Sequence, residues 1–174
     1  MTAAFAALYI ILVQVHYDLT YNRAIPDSER VYLMTLPSLG GSGLKQQSFL
    51  ARPVAEMGLA DNPYVETYGV AALDDVNKVN VIVGEGTAAK THSVTFAQMT
   101  SGALKTFGIQ AVMGSFEGIG EGGYVAISET AAERLGVAVD SVLQLESWGR
   151  TNYFVVRAIY KDLPTASDLQ NIEV

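Results

Sequence analysis

The chain contains no cysteine and only two histidines in 174 residues. Without cysteine there is no disulfide framework, thiolate nucleophile or thiolate metal ligand, and the redox character of the compartment is left unread. His16 and His92 have no second histidine at metal-ligand spacing, so no metal site is expected, and His16 reads as an interfacial or packed residue. Charge is also scarce. Charged residues make up 17% of the chain, against about 25% in an average domain. Eleven basic residues face eighteen acidic ones, for a net charge of −7. Such a chain gains little from a phosphate backbone, and nucleic acid is excluded as an expected partner. GxxxxGK[ST] and GxSxG are both missing, so no nucleotide-hydrolysing loop and no nucleophile elbow is expected.

What is present begins with "AAFAALYIILVQV", residues 3–15, in which Gln14 is the plainly polar residue. A helix apolar on every side must be buried or in lipid. This run rises about 20 Å, short of the ~30 Å hydrocarbon core. No basic region precedes it and "HYDLTYNR" follows it, which does not fit a signal peptide. Two readings stand: a buried core helix, or the outer half of a transmembrane helix. The second is preferred. No Gly or Pro interrupts residues 3–24, so the helix is expected to continue as a stalk toward Pro26, its apolar first half lying outside the domain's own core.

Further along, "ERVYLMTL" reads as a strand covered on both faces, closed by "PSLGGSG". "QQSFLARPVAEMGLA" has helical spacing, with Pro53 starting or kinking the helix, and "YVETYGVAAL" follows as a strand. Together these predict a small split βαβ unit. "VNVIVG" and "THSVTFAQM" read as a hairpin. "SGALKTFG" is a short helix ending at Gly108. "YVAIS" is a strand, and "SETAAERLG" a helix capped by Ser128 and ended by Gly136. "SVLQLES" and "NYFVVRAIY" form a last hairpin across "WGRT", and "KDLPTASDLQNIEV" is a loop.

Motifs that suggest chemistry do not hold up. "GIGEGG", Gly118–Gly123, matches GxGxxG, but a strand follows where a dinucleotide site needs a helix, and Glu121 would repel a pyrophosphate. It reads as a mobile connector or partner contact. "SGLK", Ser42–Lys45, matches SxxK without its companion motifs. Asp74 with Asp75, and Glu117 with Glu121, lack the spacing of a calcium loop or a glycosidase pair. Trp148 stands out as a large amphipathic ring at a hairpin tip, suited to docking on a partner or capping the domain's own core. No catalytic, cofactor-binding or metal-ligating residues are assigned.

Pattern along the whole chain is more informative. "HYDLTYNRAIPDSERVYLM" is similar to a "yDlsYDrf…adRiYrl" segment, with Asp18, Tyr21, Arg30 and Tyr32 at the recurrent positions. "LKTFGIQAVMGS", "VAISETAAERLG" and "YFVVRAIYKDLPTAS" then follow in the order "f..fgi.ll.G", "vviSe..A.rlfG" and "y.VvGVikDlP.nS". The chain thus resembles the extracytoplasmic domain of an ABC-transporter permease of the FtsX-like, MacB periplasmic-core type, as found in Bacteroidetes. It departs where "piGk" becomes "VAVDSVLQL" and where Ala158 and Ile159 replace "GV". The resemblance implies an α+β fold: a long N-terminal helix, a membrane-proximal lobe containing βαβ and an inserted smaller β-rich lobe. Residues 1–24 would be the outer part of a transmembrane or stalk helix and 25–174 the core domain, with about 74–150 as the inserted lobe. It further implies a non-catalytic domain on the periplasmic side of the inner membrane. That domain would couple ATP hydrolysis in a separate ATPase to an extracytoplasmic partner protein or a lipophilic or peptide substrate, beside a second permease copy or homologue. The alternative is a membrane-anchored receptor or interaction module without an ATPase. Expected coupling or partner contacts are Asp18, Tyr21, Trp148, Asp162, Pro164 and Ser167, with Pro164 stiffening the exit and Asp162 and Ser167 bonding local backbone.

Overall fold

A computed structural model describes residues 2–37, 46–47, 51–84, 86, 89–147, 150–164 and 166–174. The first element is helix α1, Thr2–Thr20. Its apolar side chains are exposed all round: Phe5, Tyr9, Ile10 and Leu12 are between 58 and 69% accessible. The core-helix reading of the opening run is therefore set aside, and the expectation that its first half avoids the core holds. The helix stops earlier than Pro26. Asn22 takes a left-handed φ of 58°, a conformation Asn tolerates better than most residues, and Tyr21–Ala24 form a turn.

The strand expected over Glu29–Leu36 is not formed. Ser28–Arg30 is a single 3-10 turn behind a left-handed Asp27, and only Leu36–Pro37 (β1) enters a ladder, antiparallel to Gln46–Gln47 (β2). Tyr32 and Leu33 are exposed rather than covered. Strand propensity is realised only where a partner strand is available. Helix α2, Arg52–Leu59, begins with Pro53 in its first turn, as expected. The strand expected over Tyr64–Leu73 also shifts. The Asn62 side chain accepts from Tyr64 N at 3.0 Å, holding a turn, and the strand begins only at Ala71.

From there β3, Ala71–Val83, and β4, Lys90–Met99, form the expected hairpin, with a bulge between Ala72 and Asn77. Helix α3 is Ser101–Thr106, capped by the Thr100 side chain and followed by Gly108 at φ +67°. A Cβ at Gly108 would stand 2.6 Å from Pro26 Cγ, so this glycine also admits the chain leaving α1. Then come β5 (Ala111–Gly114), β6 (Tyr124–Ser128) and α4 (Glu129–Leu135). The Ser128 side chain caps α4 and Gly136 ends it at φ 67°, as read from the sequence. β7 (Val142–Ser147) and β8 (Arg150–Tyr160) close the chain's last hairpin. Ser147 pairs with Arg150, so its connection is shorter than "WGRT"; Trp148 itself lies outside the described residues.

The fold is α+β. Six strands form one curled sheet in the order β4-β3-β7-β8-β5, with β6 also on β8. Val155 pairs with both Val142 of β7 and Tyr124 of β6, and Ala158 with both Gly114 of β5 and Ala126 of β6. A strand has two edges, so β6 holds one edge of β8 while β7 and β5 share the other. The β6–β8 pair is parallel, its strands connected through α4 and β7; this differs from the expected βαβ unit over residues 29–73. Residues 173–174 then bridge the sheet's two outer strands. Glu173 N and Val174 N donate to Thr95 O of β4, Ala97 N of β4 donates to Val174 O, and Ser128 N of β6 donates to Glu173 O. The Glu173 carboxylate fixes that bridge, accepting from Thr95 N at 2.9 Å and pairing with Arg134 of α4 at 2.5 Å.

Candidate coupling site at the base of the N-terminal helix

The end of α1 is clasped to the segment that leaves the sheet, residues 161–174. Asn22 N donates to Ala166 O at 2.8 Å. The Asn22 side chain donates to Asp168 Oδ2 at 2.8 Å and accepts from Asp168 N at 3.0 Å. Tyr21 Oη donates to Asp168 Oδ1 at 2.9 Å. The left-handed turn at Asn22 lets its amide and side chain face the exit segment together. The hydrogen bond to Asp168 is the main cause raising the Tyr21 hydroxyl pKa above its ordinary value, because losing the proton would set two negative charges against each other. Tyr17 packs on Tyr21 with ring centroids 5.7 Å apart.

Below the clasp lies core. Ile25 is 7% exposed and packs with Leu169, Ile172 and Ala97. Ser167, fully buried, donates to Pro164 O at 2.8 Å and accepts from Leu169 N at 3.3 Å. The exit is therefore held as a turn by a serine that both donates and accepts, as expected of Ser167. Asp162 acts differently from the expectation that it bonds its own turn. Its carboxylate accepts from the Thr130 hydroxyl, and from Thr130 N at 3.2 Å, in the first turn of α4. That side-chain hydrogen bond is the leading cause holding the Asp162 carboxyl below its ordinary value. Asp18 accepts from Gln14 at 2.9 Å along α1 and is not brought to the exit segment. Of the expected contacts, Tyr21, Pro164 and Ser167 come together around the clasp, and Asp162 extends it to α4.

Asn22 and Asp168 are the residues sequence reading missed. Asn22 carried a usable signal, since Asn favours a left-handed break where no Gly is present. Asp168 carried none. The glycine loop is placed as expected for a non-dinucleotide loop: β6 follows it directly, Arg52 donates to Gly120 O at 2.7 Å, and Val155 N donates to Gly123 O. Among the described residues no three His, Asp or Glu side chains gather as a metal site, and no helix is long and apolar enough to cross a membrane.

Among solved structures, the chain is similar to a domain of a protein described as a permease from Porphyromonas gingivalis, at 18% identity and a TM-score of 0.47, over 64% of this chain and 45% of that one. It is also similar to the extracellular domain of the ABC-type transporter YknZ from Gram-positive bacteria, at 16% identity and 0.46, over 64% and 57%. The chain spans about half the length of these structures. No protein-family model and no curated protein matches the chain.

Proposed function

We propose that the chain is a non-catalytic extracytoplasmic domain of an ABC-transporter permease, lying on the periplasmic side of the inner membrane. The apolar half of α1 contacts lipid, residues 1–24 serve as stalk, and residues 25–174 form the domain, with about 74–150 as its smaller lobe. Movement driven by a separate ATPase enters through α1 and passes by Tyr21, Asn22 and Asp168 to the exit segment, and by Asp162 to α4. The partners on this reading are the ATPase, a second permease copy or homologue, and an extracytoplasmic protein or a lipophilic or peptide substrate.

The observation that carries the reading is a helix with uncovered apolar faces followed by a turn that is hydrogen-bonded to the segment leaving the sheet. The ordered sequence resemblance supports the same conclusion. The test is Pro164→Gly, and separately Asp168→Ala, in the full permease with its ATPase. Transport-linked ATPase activity should fall severalfold at normal protein levels while the isolated domain stays folded. Unchanged activity would leave the membrane-anchored interaction module as the better account.

A further inference from the structure

The domain's hydrophobic clusters do not merge into one. Val79 and Leu145 of the first, Leu104 and Tyr160 of the second, and Ile172 of the third face a common cavity of about 890 Å³. Protein interiors pack at crystal-like density with few voids larger than a water molecule, whereas small-molecule sites run to about 300–1,000 Å³. The cavity has the size of a ligand site.

Its polarity is graded. Alternate residues of a strand share one face. Along β8, Arg150 and Asn152 are exposed, Phe154 is half-buried and Val156 is fully buried. Along β4, Gln98, Phe96 and Val94 repeat the sequence from exposed polar to buried apolar. The register sets these two rows on the same face, through Val94–Val79, Val81–Leu145 and Leu145–Asn152. Arg52 also lines the cavity, its guanidinium held by Glu56 at 2.6 Å and by Gly120 O of the glycine loop at 2.7 Å. Two guanidiniums, Arg52 and Arg150, thus line a space whose walls are otherwise largely aliphatic and aromatic.

We infer that the interior of the curled sheet binds a single-chain amphiphile with an anionic head group, its aliphatic chain along Phe154 and Phe96 and its head at Arg150 and Arg52. The glycine loop forms one lip, which gives "GIGEGG" a role that a dinucleotide does not. The inference rests on the cavity and not on the permease reading, and it holds whichever way the ATPase experiment falls.

The test is fluorescence titration of the full chain with dansylated undecanoate and with the matching dansylated alcohol. One saturable site is expected. Ala72→Phe, a lining position that a larger side chain would fill, should weaken both probes about tenfold. Arg150→Gln should weaken the carboxylate severalfold and leave the alcohol unchanged. If Ala72→Phe fails to unfold cooperatively, Gln98→Trp at the exposed end of the β4 row replaces it, with the same loss expected. No saturable binding overturns the inference. So does binding that survives both the filled cavity and the lost charge, which would assign the probe to the exposed face of α1, and so does a probe-insensitive dimer that buries the cavity mouth.

Discussion

The most apolar stretch of this protein is exposed, and one of its polar-looking stretches is core. In α1, Leu8, Ile10 and Leu12 are 52, 66 and 58% exposed. In the exit segment "KDLPTASDLQNIEV", Ser167 and Leu169 are 0 and 1% exposed, and Ile172 and Val174 are both 6%. Burial is decided by which surfaces the rest of the chain can cover, and the apolar side chains of α1 stay uncovered while the exit segment closes the curled sheet. Stability should therefore depend more on the exit segment than on α1.

The largest expected effect falls in the exit segment. Leu169→Ala should cost about 2–5 kcal/mol in chemical unfolding, by lost transfer energy and the cavity left behind. Leu12→Ala, an identical deletion on α1, should stay within ~0.5 kcal/mol. Equal losses at the two sites would erase the distinction. Next comes Ser167→Ala, expected to cost about 1–3 kcal/mol, since Pro164 O and Leu169 N both lose a buried partner. Asn22→Ala should cost about 1 kcal/mol through lost hydrogen bonds and a strained left-handed backbone. Asn22→Gly keeps the backbone and loses only the side chain, so the difference between the two variants separates clasp from conformation.

The smallest effects are in pH dependence. The Asp162 carboxyl is held low by Thr130, so its contribution is present above the ordinary carboxylate value and is lost as pH falls through the lowered one. Asp162→Asn should flatten that acid-side slope in unfolding measured against pH. Tyr21 has the opposite sign. Its hydroxyl is raised by Asp168, so the clasp is intact below the ordinary tyrosine value and is lost as pH rises through the raised one. Tyr21→Phe should remove that alkaline step and leave the acid limb unchanged.

Local chemistry made part of this legible. Ser128 and Gly136 bracket α4, Gly108 follows α3, and the β3–β4 hairpin shows in its alternation, because caps and turns depend on residues a few positions apart. The strand expected over Glu29–Leu36 failed because a ladder needs a partner that local sequence does not specify. Burial of Leu169, Ile172 and Val174 follows neither a helical nor a strand period, so no pattern announced it. The Asn22–Asp168 bonds join residues 146 positions apart. Both segments held expected coupling residues, but that they are joined, and by which residues, became visible only in the fold.

The most direct test of the account is thermal unfolding of the chain lacking residues 1–16, which removes most of α1 and leaves Tyr21 and Asn22 in place. If the fold stands on the sheet and its exit segment, unfolding should stay cooperative with a midpoint within about 2 °C of the intact chain, equivalent to less than ~1 kcal/mol for this size. Loss of cooperative unfolding would mean that α1 is part of the core, and would contradict both the comparison and the membrane-facing role proposed for the helix.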